Sequence, residues 1–124
     1  MSRPHLAWSR ICAADALAER GDGVRFAIAR PGGRAPAFAL RIDGVARAWL
    51  NQCAHVPVEL DWNPGRFLDD TGTVIVCATH GAVYDALDGS CAGGPCRGRG
   101  LQSVPCREAD GWVEVQAILV EDQP

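Results

Sequence analysis

Lysine is missing from the 124 residues, and all 12 positive charges are arginine. We read this first as codon bias of the genome and only second as selection for planar, bidentate contacts. No stretch approaches the ~20 apolar residues that a membrane span needs. Arg3 is not followed by an apolar run, so no secretion signal is expected either. The chain is expected in the cytoplasm, with no membrane partner. Acidic residues outnumber basic ones, 15 to 12, giving a net charge of −3. With no basic face to outweigh that balance, nucleic acid is not an expected partner. The chain has no internal repeat and hardly any helical periodicity; residues 16–18 offer a single turn.

What is present is ordinary for a folded protein: 48% apolar and 22% charged residues, read as one domain over 1–124. A core of this size does not depend on metal alone, although metal can hold loops. Residues 10–13 read as an edge strand, followed by a connector over 15–22. Val24, Phe26 and Ile28 alternate with smaller or polar residues, the period of a half-buried strand, and Pro31, Gly32 and Gly33 break it. Residues 37–42 and 45–50 flank Asp43 and Gly44, the strongest hairpin signal. The second arm delivers the chain at Asn51 to Cys53. Residues 73–76 form a β-branched run leading into Cys77, and 81–84 return, closed by Asp88 and Gly89. Between these, the stretch carrying Glu59, Asp61, Trp62, Pro64, Asp69 and Asp70 reads as a connecting excursion. Its carboxylates are taken as solvated turn residues, not acid–base catalysts. The glycine-rich 90–100 is expected to be loop, and 101–107 and 112–120 are expected to be two last strands joined at Asp110 and Gly111. About eight short strands make an antiparallel all-β sandwich or barrel with the loops of interest at one end.

Cys53 with His55, and Cys77 with His80, each offer one thiolate and one imidazole, with twenty-one residues between the pairs. Six cysteines could mean disulfides, but the missing signal and the neighbouring histidines favour metal. Two Cys and two His suit either tetrahedral zinc or an iron–sulfur cluster. Zinc folds of this set usually take both thiolates from one knuckle and both imidazoles from one helix. Here each loop supplies one of each, which suits two unlike irons. The remaining cysteines, Cys12, Cys91, Cys96 and Cys106, are read as structural or incidental thiols. Of these, Cys91 and Cys96 are the nearest pair for a disulfide, and Cys96 is the one worth testing for nearness to the centre. His5 is read as inert, and Trp8, Trp49, Trp62 and Trp112 as packing residues rather than an electron path. Arg97, Arg99 and Arg107 form a basic cluster, open to two readings: a solvated loop, or a dock for an acidic redox partner, which salt dependence would separate.

The pattern C-x-H, then C-x-x-H-G-x-x-Y, then Gly93-Gly94-Pro95 resembles the Rieske [2Fe–2S] domain, in particular the Rieske-type ferredoxins. The resemblance implies a sandwich or barrel base with a small cluster-binding subdomain, its loops within about 51–107. It implies that Cys53 and Cys77 hold the inner iron, and His55 and His80 the outer one, of one [2Fe–2S] cluster. Gly94 and Pro95 would fold over that cluster. The connection between the pairs is a few residues longer than the family's common spacing. With two ferric ions, two sulfides and two thiolates the charge is zero when oxidised, against two negative charges for a four-cysteine cluster, so reduction is easier. All iron positions are filled, which implies an electron carrier with no substrate site of its own. The expected partners are a reductase and a terminal oxygenase or similar enzyme. The alternatives are a small subunit of a larger, nitrite-reductase-like enzyme, or a structural zinc module. A mononuclear oxygenase is excluded, since no spare histidine pair with a carboxylate remains. High-potential members join the ligand loops by a disulfide, where this chain has Val58 and Thr79. They also place a serine where it has Ala82, while Tyr84 is kept. A missing hydroxyl donor implies a low-potential carrier.

Overall fold

The structure, a computed structural model, describes residues 7–54, 58–61, 63–79 and 81–121. Among these, the strands in chain order are β1 (Trp8–Ala13), β2 (Val24–Arg30), β3 (Gly33–Ile42), β4 (Val45–Leu50), β5 (Val74–Val76) and β6 (Val83–Asp85). They continue with β7 (Cys91–Gly93), β8 (Ser103–Val104), β9 (Cys106–Ala109), β10 (Trp112–Gln116) and β11 (Leu119–Val120). Among the described residues, two short 3₁₀ turns, Ala14–Ala16 and Gly94–Cys96, are the helical content. The strands form three antiparallel sheets, ordered β1-β10-β9, β11-β2-β3-β4-β8 and β5-β6-β7.

The frame is built on the β3–β4 hairpin. Asp43 and Gly44 both take positive φ, 54° and 77°. A two-residue turn with that geometry matches the twist of the flanking strands. It sets the register from Ile42↔Val45 to Ala37↔Leu50. Successive side chains of β3 point to opposite faces, and both faces are covered. Ala37 and Ala39 face one core with Phe26, Ile28, Val113 and Val115. Phe38, Leu40 and Ile42 face another with Trp49, Leu60, Phe67, Ile75 and Tyr84. A strand buried on both sides loses its alternation, which is why residues 37–40 are buried without a break. Phe38 stacks on Phe67 with ring centroids 3.9 Å apart and planes 9° apart, tying the five-stranded sheet to the segment before β5. Burying one such ring is worth about 2 kcal/mol. Gly23 makes room for that stack: a Cβ there would lie 2.8 Å from the Phe67 ring and 3.0 Å from the carbonyl of Ala39.

The strand expectations over 24–30, 37–50 and 73–76 are met. Three others are corrected. Residues 90–100 are not simply loop, because Cys91–Gly93 pairs with β6 and a 3₁₀ turn follows. Residues 101–107 and 112–120 each split between sheets: β8 pairs with β4 while β9 pairs with β10, and β10 pairs with β1 while β11 pairs with β2. Pro105, lacking an N–H, sits at the first switch and lends its carbonyl to Gln116 N–H at 3.0 Å. Thus the described residues hold eleven strands rather than eight.

The acidic excursion is also corrected at one residue. Glu59 and Asp70 are exposed, as expected, but Asp61 is 7% exposed and Leu60 and Phe67 are core. Among the cysteines, Cys91 and Cys96 form a disulfide, whereas Cys12 and Cys106 are thiols. Burial pushes the Cys12 thiol up and holds the Cys106 thiol at about 11, so both stay protonated at neutral pH. Trp49 is buried, Trp112 carries Arg10 over its ring and Trp8 carries Arg107, as packing residues do. His5 and Trp62 lie outside the described residues. No described helix is long and apolar enough to cross a membrane.

Candidate metal centre

Strand β4 ends at Leu50, and the next side chain, Asn51, is almost fully buried. Its amide donates to the Asp61 carboxylate at 2.9 Å, and its carbonyl accepts the N–H of Leu60 at 2.8 Å. The other oxygen of Asp61 accepts the N–H of Gly65 at 2.9 Å and faces Arg25 at 3.5 Å. This network braces the entry and exit of the loop that holds Cys53. The loop also closes on itself, through Cys53 N–H to the carbonyl of Val58 at 2.8 Å.

Strand β5 leads into the second loop in the same way. Cys77 N–H donates to the carbonyl of Ala82 at 2.8 Å, and Gly81 N–H returns to the carbonyl of Cys77 at 3.0 Å. Gly81 has a φ of 75°, which permits this tight return. The two loops are joined where Ala78 N–H donates to the carbonyl of Leu60 at 3.0 Å.

Cys53 and Cys77, 3% and 0% exposed, belong to one buried cluster with Ala82, Tyr84 and Cys96. The phenol of Tyr84, on β6, accepts the N–H of Ala54 at 2.9 Å. Its hydroxyl also lies 3.3 Å from the sulfur of Cys53; toward a thiolate, which has no proton, the O–H is the donor. Burial, and next the hydrogen bond to Cys53, push the Tyr84 phenol up to about 12, so it remains a donor. Ala82 is fully buried beside it. The Gly93–Gly94–Pro95 arch lies on the second loop: a Cβ at Gly94 would come within 2.7 Å of the carbonyl of Gly81 and 3.0 Å of Ala82 Cα. Pro95 is exposed. An open depression of about 310 Å³ is lined by Cys53, Ala54 and Arg99 among others, and the Arg99 guanidinium approaches the carbonyl of Ala54 at 3.4 Å.

The structure therefore brings Cys53, Cys77, Ala82, Tyr84 and Gly94 together. His55 and His80 lie outside the described residues, and among those described no three His, Cys, Asp or Glu side chains form a metal-holding group. Arg107 leaves the expected basic cluster, since it pairs with Glu114 at 2.8 Å on β9 and β10. Sequence reasoning missed Asn51 and Asp61. The D-x-N-P-G turn chemistry from Asp61 to Gly65 was the available signal.

The donor chemistry fits a metal–sulfur group. Two buried thiols from two loops share one core cluster, with a phenol aimed at one of their sulfurs. Buried sulfurs that accept such hydrogen bonds are what a cluster held by thiolates needs.

Comparison with known proteins agrees. A family model of the Rieske [2Fe–2S] domain matches residues 7–108. A search of curated protein sequences returns no match. Among solved structures, the complex of reduced oxygenase and oxidized ferredoxin in carbazole 1,9a-dioxygenase matches with a TM-score of 0.69 at 25% identity, over 93% of this chain and 97% of that one. The reduced complex between oxygenase and ferredoxin of carbazole 1,9a-dioxygenase matches with a TM-score of 0.73 at 20% identity. The terminal oxygenase of carbazole 1,9a-dioxygenase from Nocardioides aromaticivorans IC177 matches with a TM-score of 0.71 at 24% identity. These last two cover 97% of this chain, which spans only 30% and 32% of the matched chains, so they show the fold alone. With a family model matched over residues 7–108, this chain belongs to the Rieske [2Fe–2S] domain family.

Proposed function

We propose that Cys53 and Cys77 hold one iron, and His55 and His80 the other, of a [2Fe–2S] cluster. On this reading the chain is a ferredoxin-type carrier that passes single electrons from a reductase to a terminal oxygenase or a similar enzyme. The observation that carries the ligand assignment is the joining of Cys53 and Cys77 in one buried cluster under the Tyr84 hydroxyl. The partner assignment is supported by the likeness, over nearly the full length of both chains, to a component of an oxygenase–ferredoxin complex.

When bound, the cluster takes up and gives back one electron. The residues of the chain do the rest. The Tyr84 O–H donates to the Cys53 sulfur and so favours the more negative, reduced state. The Asn51–Asp61 network and the Ala78–Leu60 bond hold the two loops in fixed relation, which keeps reorganisation small on electron transfer. The fully buried Ala82 supplies no hydroxyl, consistent with a low potential.

The test is an iron and acid-labile sulfide assay of the purified protein, with EPR of its reduced form. Two irons and two sulfides per chain, with the low-g signal of a mixed-ligand cluster, are expected. One zinc and no sulfide would overturn the reading.

A further inference from the structure

The Cys91–Cys96 disulfide is not used by the electron-transfer reading, yet it ties down the arch beside the site. Its two sulfurs bracket Gly93, Gly94 and Pro95. Cys91 stands on the outer strand β7 directly opposite Tyr84, and Gly93 opposite Val83. The environments of the two sulfurs differ. Cys91 is half-buried beside an open hollow of about 300 Å³, also lined by Gly94 and Arg97. Cys96 is fully buried among the residues around Cys53 and Cys77. Its sulfur lies 3.2 Å from the carbonyl of Gly93 and 3.4 Å from that of Val83. A disulfide sulfur has no proton to donate, so these two acceptors find a hydrogen-bond donor there only when Cys96 is a thiol.

We propose that Cys91–Cys96 is a thiol-exchange site whose reaction partner is a dithiol, either a small molecule or a dithiol protein, and that its opening releases the arch from the second loop. The thiolate of the dithiol attacks the Cys91 sulfur, and the S–S bond to Cys96 breaks. Cys96 leaves with the electron pair and takes a proton, its S–H then within reach of the carbonyls of Gly93 and Val83. The second thiol of the dithiol attacks the sulfur joined to Cys91, which leaves as a thiol. Two electrons and two protons have passed to the protein, and the dithiol has become a disulfide. Arg97 at the hollow favours the approach of the thiolate. Without the bond, the three-residue β7 keeps its pairing with β6 but loses its covalent tie to Cys96, and the Gly94 contact with Gly81 and Ala82 loosens. Where thiol buffers keep cysteines reduced, a bond of this kind cycles rather than persists.

The exchange stands on the Cys91–Cys96 pairing and on the unlike surroundings of its two sulfurs. Its effect on the cluster rests on the ligand reading above. In the test, the intact, cluster-bearing protein is equilibrated with graded ratios of reduced to oxidised dithiothreitol and alkylated. Cys91 and Cys96 are then read by peptide mass spectrometry, and trypsin cleavage after Arg97 is timed under native conditions. We expect both cysteines to become alkylated together and cleavage to quicken by about ten-fold on reduction. The Cys91→Ser/Cys96→Ser variant should be cleaved at the fast rate with or without dithiol. A bond that stays closed in excess dithiol, or opens with no change in cleavage, overturns the proposal. The midpoint potential, taken before and after opening, should shift; no shift refutes the link from arch to cluster. A preparation that opens at Cys91–Cys96 but holds no iron sinks the ligand reading and leaves the exchange standing.

Discussion

Tyr84 is where a single atom has most leverage. Its phenol oxygen accepts a hydrogen bond from the N–H of Ala54, and its own O–H faces the Cys53 sulfur. On the ligand assignment proposed above, that sulfur grows more negative on reduction, and a hydrogen bond to it favours the reduced state by about 1 kcal/mol, or roughly 40 mV for one electron. Tyr84→Phe should therefore lower the potential by that order in protein-film voltammetry. Ala82→Ser, adding a donor at a fully buried position next to the second loop, should raise it. Absence of both shifts would mean that neither position hydrogen-bonds to the centre. Both residues were legible beforehand, because C-x-x-H-G-x-x-Y fixes their offsets from Cys77. Asp61 was not. A carboxylate among carboxylates reads as solvated, and only the three-dimensional closure of the loop on Asn51 makes it a brace.

Among the elements, that brace is the part of the site most exposed to mutation. Asp61→Ala would strand the Asn51 amide and the Gly65 N–H, both now bonded to its carboxylate. Leaving buried donors unpaired costs about 2 kcal/mol. Urea unfolding of the variant should show a loss of that size; a loss below roughly 0.5 kcal/mol would reduce the network to an ornament of the turn. The strands before the site were readable from period and turn chemistry, since Asp43-Gly44 fixes a register and β-branched runs mark β5. The C-terminal strands were not. Apolar residues continue through Pro105 and through residues 117–118, so the hydrophobic pattern runs on while the chain changes sheets. Periodicity reports which side chains are buried, not which sheet buries them.

For the whole molecule, the distribution of arginines matters more than the net charge. Arg10, Arg20, Arg25, Arg41, Arg66 and Arg107 are engaged in ion pairs with carboxylates. Arg97 and Arg99, exposed on the segment after the arch, make none among the described residues. The site end therefore presents positive charge on a chain that is negative overall. If that charge orients a redox partner, Arg97→Glu/Arg99→Glu should slow bimolecular electron transfer from the reductase by about ten-fold at low ionic strength, with the difference fading toward 0.5 M salt as screening removes it. Equal rates for both proteins in stopped-flow mixing, at low salt, would leave these arginines as ordinary solvated residues.

The sequence contains one tyrosine, and the fold places it at the centre of the site. Ring-labelled tyrosine would thus give an NMR spectrum with a single resonance set, originating beside the Cys53 sulfur and free of overlap from any other ring of its kind. Chemical shift, line broadening by unpaired electrons and ring-flip rate at that one label would report, respectively, on the hydrogen bond to sulfur, the electronic state of the centre and the tightness of the packing around it, in the intact protein and without a substitution.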